Sequence, residues 1–402
     1  MALTIRTLVE EDYVPFVDMV ASAFLFDPHE KDAEFERPIY DLDRVHGVFD
    51  GTEIIGAAGI LTRDVTVPGG GPQPTAAITS VGVKPGHRRR GVLSMLMRAE
   101  LHGLHVEERE AFAALWASEG SIYGRYGYGL ASEFAGMKIP RGAAFHKGVD
   151  VGEDRVREVS REEAWPVIRA IYERVAPTRT GYLSRQDASW DYFLADGERH
   201  RDGLTKYRFV LHPRGYAVYR VKGAWGDRGP ENELNVRELV AEDDQAYAAL
   251  YRYLLDLDLV AEVSQYAGSD EPVVRMLVNP SLATRSRRDA LWIRLVDLDR
   301  ALPQRRYLSD VDVVLDVTDE LCPWNADRWR FTVKSGEASV RRVTDEPDVA
   351  LDITALGAAF LGGTRLTTLA RAQYVRELTP GALRPLSNAF LGDEEPRCLE
   401  VF

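Results

Sequence analysis

The stretch Ala76–Leu101, AAITSVGVKPGHRRRGVLSMLMRAEL, decides the fold of the N-terminal part of this 402-residue chain. An apolar run ends at Val83, a Lys-Pro-Gly turn follows, and apolar residues then recur with helical spacing from Leu93 to Leu101. The pattern predicts a strand, a turn and a helix. Three arginines and Gly91 stand where the helix begins, so free backbone N–H groups, the positive end of the helix dipole and guanidinium charges converge there. We expect this spot to bind phosphate groups.

Two common phosphate-binding loops do not fit this stretch. The GxxxxGK[S/T] loop of nucleoside triphosphatases and the GxGxxG fingerprint of dinucleotide-binding folds are both missing. What remains, Arg-x-x-Gly after an aliphatic strand, resembles the pyrophosphate loop of the GCN5-related N-acetyltransferases (GNATs), which bind acetyl-coenzyme A. Two other interpretations stay open, a solvated arginine run that caps a surface helix and a nucleic-acid contact. A net charge of -13 argues against nucleic acid.

Composition sets further bounds. The length predicts two or three domains, and 45% hydrophobic and 28% charged residues are ordinary for a soluble globular protein. We find no targeting segment and no apolar run long enough to cross a bilayer. The two cysteines have no metal or redox spacing, which suits a reducing cytoplasm, and no metal is expected. The excess of acidic over basic residues favours a cationic small-molecule substrate over nucleic acid or membrane partners.

The first 150 residues predict an α+β domain. A strand at 4–9 leads into a helix, strands follow at 45–49, 53–60 and 61–67, and another apolar strand comes at 111–118. The strand before the phosphate loop and the strand at 111–118 should be parallel neighbours joined by the crossover helix. Coenzyme A can then lie between them, with its amides paired to the backbone of residues 80–83.

From about residue 151 the chain repeats this order. A strand and helix at 155–176 are followed by a hairpin at 206–225 and by strand, loop and helix at 232–257. The loop, Ala241-Glu242-Asp243-Asp244, is acidic where the first copy has arginines. Its carboxylates would cap the following helix well and would repel a pyrophosphate. We interpret residues 151–288 as a degenerate GNAT-like domain without cofactor. The alternative is an unrelated α+β domain.

The last part of the chain has a different pattern. Four strands are predicted between 310 and 354, and two helices at 355–362 and 365–377. A sheet with helices stacked on one side is the natural packing.

These three modules in this order resemble the Eis (enhanced intracellular survival) family of bacterial N-acetyltransferases over essentially the whole chain. The resemblance is carried by the stretches 81–93, 117–129, 215–221 and 291–298 and by the terminal Phe402. It implies a fold of two tandem GNAT-like domains and a sterol-carrier-protein-like domain, at 1–150, 151–288 and 289–402. It also implies a homo-hexamer that acetylates aminoglycosides and, in some members, other primary amines such as lysine side chains or polyamine-like compounds.

The resemblance assigns roles to individual residues. Tyr123 corresponds to the general acid and the α-carboxylate of Phe402 to the general base. Acetyl-CoA contacts are implied for Val81, Gly82, Val83, Arg88, Arg89, Arg90, Gly91, Val92 and Ser118. Acceptor contacts are expected from Phe24, Phe26, Asp27, Phe35, Glu36 and Glu400, although a plain surface helix pair also explains the segment that holds the first five. Where well-known family members carry an acid, this chain has Phe26 with Asp27 beside it, which leaves aminoglycoside preference open.

The chemistry can also be argued from the residue types. A primary amine is protonated at neutral pH and needs a base before it can attack a thioester, and the departing thiolate benefits from a nearby hydroxyl. Tyr126 is an alternative to Tyr123 for that hydroxyl. The apolar ending Leu399, Val401 and Phe402 favours a packed terminus over a frayed one. A different class of function stays possible, a carrier or regulatory protein that binds acyl-CoA or lipid and transfers nothing.

Overall fold

The computed structural model describes residues 3–227 and 229–402. The strands are β1 (Thr4–Thr7), β2 (Val45–Asp50), β3 (Glu53–Val67), β4 (Gly71–Val83), β5 (Phe112–Trp116), β6 (Gly129–Leu130), β7 (Glu133–Pro140), β8 (Arg157–Val159), β9 (Arg208–His212), β10 (Gly215–Lys222), β11 (Trp225–Gly226), β12 (Gly229–Pro230), β13 (Asn232–Ala241), β14 (Val260–Gly268), β15 (Thr284–Asp289), β16 (Leu291–Leu295), β17 (Val311–Thr318), β18 (Asp327–Lys334), β19 (Glu337–Arg342), β20 (Val349–Asp352) and β21 (Val375–Glu377). The α-helices are α1 (Tyr13–Phe24), α2 (Glu30–Glu36), α3 (Val92–Glu107), α4 (Arg161–Val175), α5 (Asp187–Phe193), α6 (Asp244–Asp256), α7 (Val273–Met276), α8 (Leu298–Ala301), α9 (Ile353–Ala359), α10 (Leu366–Arg371) and α11 (Leu383–Ala389). Within this described part, no helix has the length and hydropathy that crossing a bilayer requires.

The first sheet has the strand order β1-β2-β3-β4-β5-β16-β6. Strands β4 and β5 are parallel and are joined by α3, as predicted. Helix α3 buries Leu96, Met97 and Leu101 on one face of the sheet, and α1 buries Phe16 and Met19 on the other. The helical spacing of apolar residues therefore matches a helix that covers one sheet face.

The second sheet repeats this plan in the order β15-β7-β14-β13-β10-β9-β8. Strands β13 and β14 are parallel and are joined by α6. Helix α6 packs on one face through Leu250 and Leu254, and α4 packs on the other through Ile168 and Ile171. The predicted internal repeat is thus confirmed in the topology.

Each of these two sheets is completed by a strand from across a predicted boundary. β7 precedes residue 150 in the chain but pairs with β14 in the second sheet. β16 follows residue 288 but pairs with β5 in the first sheet. The domain boundaries at 150 and 288 stay predictions. At each of them, a strand from one side of the boundary joins the sheet of the other side. Apolar patterning identifies a strand but does not specify the sheet edge that the strand joins.

The third module is a five-stranded sheet in the order β19-β18-β17-β20-β21 with helices α9 to α11. The prediction of a helix over 365–377 is wrong about where the helix ends, because α10 stops at Arg371 and β21 follows at Val375–Glu377. Arg294 on β16 donates to both carboxylate oxygens of Asp319 at 2.8 Å, and both side chains are buried. This ion pair links the third module to the first sheet.

Candidate active site

Strands β4 and β5 diverge after a short paired region. Residues Ala76–Ala77 face Ala113–Ala114, whereas β4 continues to Val83 and β5 to Trp116. We call the space between the diverging ends the first cleft. The backbone of Thr79–Val83 faces it, because the opposite edge of β4 is paired with β3. An extended ligand that carries amide groups can pair with this edge as an added strand would.

Helix α3 begins at the mouth of the first cleft. Gly91 is the N-cap with φ of 81°, a left-handed conformation that favours glycine, and no side chain in the described residues caps the first turn. Val92 is 2% exposed and its side chain belongs to the core, so its predicted cofactor contact is limited to the backbone N–H. The helix start therefore presents donors and a positive dipole end to an anion.

The three arginines of the loop are placed differently. Arg88 and Arg89 are exposed, and neither pairs with a carboxylate in the described part of the chain. Arg90 lies 3.1 Å from Asp50 across the sheet end. Arg88 and Arg89 are thus the better candidates for the pyrophosphate, and the contact predicted for Arg90 stays a prediction.

Replacing Arg88 or Arg89 by alanine is expected to raise the KM for acetyl-CoA about tenfold while changing kcat little, because each guanidinium contact to phosphate is a charge-assisted hydrogen bond. Steady-state kinetics with a fixed acceptor measure this effect. Arg98→Ala is the matched control, since Arg98 is exposed on the same helix past its first turn. A KM unchanged in both loop variants would remove the arginines from cofactor binding.

The other lip of the first cleft is the loop after β5. Ser118 is exposed directly beyond the strand end. Tyr123 is 5% exposed, and its ring packs edge-on against Tyr128 at 5.8 Å between centroids. Burial raises the pKa of Tyr123 to about 12. Its hydroxyl makes no hydrogen bond within the described residues, so it can meet a group in the cleft.

The alternative tyrosine is engaged elsewhere. The hydroxyl of Tyr126 lies 3.1 Å from Oγ of Ser94 on the first turn of α3. This bond ties the tyrosine loop to the phosphate-binding helix. The geometry gives Tyr126 a positioning contact, and the donor role predicted for Tyr123 stays a prediction.

The residues predicted to contact the acceptor do not all meet. Phe24 reaches β4, with a ring carbon 3.6 Å from the point where a side chain at Gly82 would begin. Phe26 and Asp27 are exposed, and Phe35 packs instead near His200 of the second module, at 6.4 Å between ring centroids. The structure therefore places Phe24 at the first cleft and the other three farther along the α1–α2 segment.

Glu400 is buried in an ion-pair network rather than facing solvent. One carboxylate oxygen accepts from Nε of Arg185 at 2.6 Å, and the other lies 3.7 Å from Arg63. Arg185 in turn forms a bidentate pair with Glu238 at 2.7 and 3.1 Å. Both carboxylate oxygens of Glu400 thus face arginines. Its predicted contact with an acceptor stays a prediction.

The chain end packs on the apolar core of the third module, which Trp116 at the end of β5 also contacts. Cys398 is buried in this core, and Phe402 is half-buried against it. Val401 between them is 61% exposed. No cation in residues 3–227 or 229–402 pairs with the terminal carboxylate.

Sequence reasoning missed Tyr40 and the hydroxyl of Ser80, which shape the acceptor side. These two hydroxyls are 2.8 Å apart, and Ser80 forms a bulge in β4 with φ of 52°. Glu36, which the sequence analysis did name as an acceptor contact, lies near Tyr40 and Tyr192, and burial, followed by Asp32, raises the pKa of its carboxyl. A serine within an apolar strand is the sequence signal that could have indicated Ser80.

A cavity of about 540 Å³ lies against the second sheet, where Leu399 forms part of its wall. Its charged lining is mostly basic and consists of Lys138, Arg220, Arg237, Arg285, Arg288 and Glu233. A polycation would be repelled there. A cationic acceptor is therefore better served by the α1–α2 side of the first cleft.

The comparisons with known proteins define the class. Residues 4–131 and 181–299 each match a family described as an acetyltransferase (GNAT) domain, and residues 298–399 match a sterol carrier protein domain. The fold and the first cleft are thus those of an acetyltransferase with two GNAT modules and a sterol-carrier-like module. The predicted α+β class and module order are confirmed.

Full-length relatives define the family. The N-acetyltransferase Eis of Mycobacterium tuberculosis is 34% identical over 407 residues, with 98% of each chain covered. An uncharacterized N-acetyltransferase of Streptomyces avermitilis is 37% identical over 401 residues, with 97% of each covered. The crystal structure of Eis1 from Mycobacterium abscessus has a TM-score of 0.87 at 35% identity and covers 99% of this chain and 100% of that one. The chain belongs to the Eis family of N-acetyltransferases.

Proposed function

We propose that this enzyme moves the acetyl group of acetyl-CoA to a primary amine of a cationic small molecule, by direct attack in a ternary complex. The acceptor class is aminoglycoside-like, with polyamines or lysine side chains as further candidates. The observation that carries the proposal is the first cleft, a strand edge with free backbone groups that ends at an uncapped helix start beside Arg88 and Arg89. A pantetheine chain with a pyrophosphate at one end has the matching shape and charge.

The terminal carboxylate of Phe402 acts as the base. A primary ammonium must lose a proton before its nitrogen can attack, and an ionised carboxylate accepts that proton directly or through one water. The packing of Cys398 and Phe402 on the apolar core that Trp116, at the end of β5, also contacts supports a terminus held beside the thioester. The C–N bond then forms at the acetyl carbonyl while the C–S bond breaks.

Tyr123 supplies the proton that the departing thiolate takes up. A phenol whose pKa is raised to about 12 by burial keeps its proton at neutral pH and can donate it when negative charge develops on sulfur. The first proton of the ammonium passes through the carboxylate to solvent. The nitrogen loses a second proton once the C–N bond has formed, and this proton replaces the one that Tyr123 gave to the thiolate, so the cycle balances with one proton released. Tyr126 holds the loop through Ser94.

The charge of the acceptor side supports a cationic substrate. Glu36 is half-buried, and no cation in the described ranges pairs with it. An amine-bearing ligand that reached Tyr40 and Ser80 would meet this carboxylate. The net charge of -13 acts in the same direction.

The remaining properties are proposed on the family resemblance. We expect a cytoplasmic homo-hexamer that acts without a metal and has no nucleic-acid or membrane partner. Both cysteines, Cys322 and Cys398, are free and buried, which suits a reducing compartment.

The carrier alternative has less support. The interior of the third module is filled by side chains, and Phe331, Phe360 and Phe390 are fully buried at its centre. A lipid at the centre of this module would have to displace this packed core.

An acetyl-transfer screen tests the proposal. Purified protein with acetyl-CoA should release free coenzyme A in a saturable manner with aminoglycosides, polyamines or lysine peptides, and mass spectrometry should show the acceptor heavier by one acetyl group. Amines that carry a carboxylate or phosphate beside the amino group serve as the matched acceptor set. Turnover confined to the anionic set would overturn the proposed substrate class.

A further inference from the structure

The second module contains a counterpart of the first cleft. Strands β13 and β14 are parallel, and their pairing ends at Val236 and Gln265, although the strands continue to Ala241 and Gly268. We call the space between these diverging ends the second cleft. As in the first module, a loop and a helix start, here those of α6, follow the longer strand.

The second cleft is occupied by the chain itself. Arg397 lines it together with Leu239–Ala241 at the end of β13 and with Tyr247 on α6. On the opposite side, a side chain at Gly268 would begin 2.7 Å from Nε of Arg397. Arg397 therefore lies between the two diverging strands, in the position that corresponds to the pantetheine site of the first cleft.

Arg397 is fixed there by charge and by backbone. Its Nη2 lies 2.9 Å from Oε2 of Glu271, a carboxylate that is 3% exposed. Glu271 also accepts from the backbone N–H of Gly268 at 2.9 Å and from the hydroxyl of Tyr247. The backbone N–H of Arg397 donates to the carbonyl of Thr180 at 2.8 Å. An arginine held by a buried, fully bonded carboxylate is strongly anchored.

The neighbouring backbone is shaped to the same segment. Gly181 has φ of 91°, and a side chain there would begin 2.7 Å from the carbonyl oxygen of Arg397. Any larger residue would collide with the tail backbone.

Three residues further on, Glu400 joins the tail to both GNAT modules. Arg185, from the loop before α5, holds it at 2.6 Å, and Arg63 on β3 of the first sheet lies 3.7 Å away. Tyr216 donates to Glu238 at 2.6 Å, which completes the network around Arg185. The two anchors, Arg397 and Glu400, stand five and two residues before the terminal carboxylate.

We propose that the second cleft is a binding site for the chain's own C-terminal segment, Glu394–Phe402, and that this binding positions the Phe402 carboxylate at the first cleft. The second part rests on the proposed function. Arg397 and Glu271 are then positioning residues, and the degenerate GNAT module has exchanged a cofactor for a peptide segment. The acidic loop at Asp243–Asp244 fits this change, because it lines the same cleft as Arg397 and would repel a pyrophosphate there.

The test uses the full-length protein with Arg397→Met, Arg397→Lys and Glu271→Gln. Two quantities are measured, the rate at which a carboxypeptidase releases Phe402 from the folded protein, and kcat with the KM for acetyl-CoA. Arg371→Met is the matched control, since Arg371 is exposed at the end of α10. Thermal unfolding and acetyl-CoA binding establish that each variant is folded.

We expect Arg397→Met to speed the release of Phe402 about tenfold or more, because proteolysis follows the population of the open state. Its kcat should fall about tenfold with an unchanged KM for acetyl-CoA, because the base is displaced while the first cleft stays intact. Arg397→Lys should lie between this variant and the wild type, since lysine keeps the charge without the planar fork. Glu271→Gln should follow Arg397→Met.

Release of Phe402 at the wild-type rate in both Arg397→Met and Glu271→Gln would overturn the binding site. Faster release with an unchanged kcat would overturn the positioning role. If the wild-type protein transferred no acetyl group to any amine, the proposed function would fail, and the proteolysis measurement would still decide the binding site by itself.

Discussion

Tyr123→Phe should lower kcat about 10²-fold, the usual contribution of a positioned general acid, and should leave the KM for acetyl-CoA nearly unchanged. The variant removes one hydroxyl that makes no protein hydrogen bond in the described part of the chain, so the loop should keep its shape. The ring packing against Tyr128 is retained, because phenylalanine has the same ring. Initial rates measured at saturating acceptor over a range of acetyl-CoA concentrations separate kcat from the KM for acetyl-CoA.

The pH profile gives the same hypothesis a second test. The protonated form of Tyr123 is the active one, so the contribution of Tyr123 to kcat is present below its pKa and lost above it. Because burial raises the pKa of Tyr123 to about 12, kcat should show no fall attributable to this residue until the pH approaches that value. The wild-type profile should therefore rise with deprotonation of the acceptor and then level off.

Tyr126→Phe distinguishes the two tyrosines. It removes the bond to Ser94, which joins the loop to α3, and we expect a loss of only a few-fold, typical of one hydrogen bond at a partly exposed site. A greater loss in Tyr126→Phe than in Tyr123→Phe would reverse the assignment.

The sequence predicted the local parts of this site well. The stretch from Ala76 to Leu101 folds as the predicted strand, turn and helix, because its apolar spacing and its Lys-Pro-Gly turn act over a few residues. The acidic loop before α6 correctly indicated a helix cap, since Asp243 accepts from the N–H of Ala246. Both signals depend on neighbours in the chain.

Long-range pairings could not be predicted in the same way. The apolar ending predicted a packed terminus, but Val401 is exposed and the tail is held mainly through Arg397 and Glu400. Their partners, Glu271 and Arg185, are distant in sequence and meet the tail only after both clefts have formed. The exchange of β7 and β16 between sheets has the same origin, because strand propensity carries no information about the partner.

The last prediction concerns the terminal carboxylate. Extending the chain by Gly-Ser after Phe402 should lower kcat about 10²-fold, because the α-carboxylate is moved by two residues and an uncharged peptide bond replaces it. The KM for acetyl-CoA should not change, since the first cleft is untouched. Phe402→Leu is the matched variant: it keeps the carboxylate at the same position and should retain kcat within a few-fold. Wild-type kcat in the extended protein would exclude the terminus as the base.

Comparing this extended protein with Arg397→Met separates the base from its anchor. The extended chain keeps Arg397 and Glu400, so its tail should stay bound in the second cleft. Once carboxypeptidase has removed the added Gly-Ser, Phe402 should leave as slowly as in the wild type. Arg397→Met keeps the carboxylate and should lose the binding. If catalysis needs both a carboxylate at residue 402 and a tail held by the second module, the two variants lower kcat by different routes. The combined variant should then lose less kcat than the product of the two single losses, because both changes act on the same carboxylate.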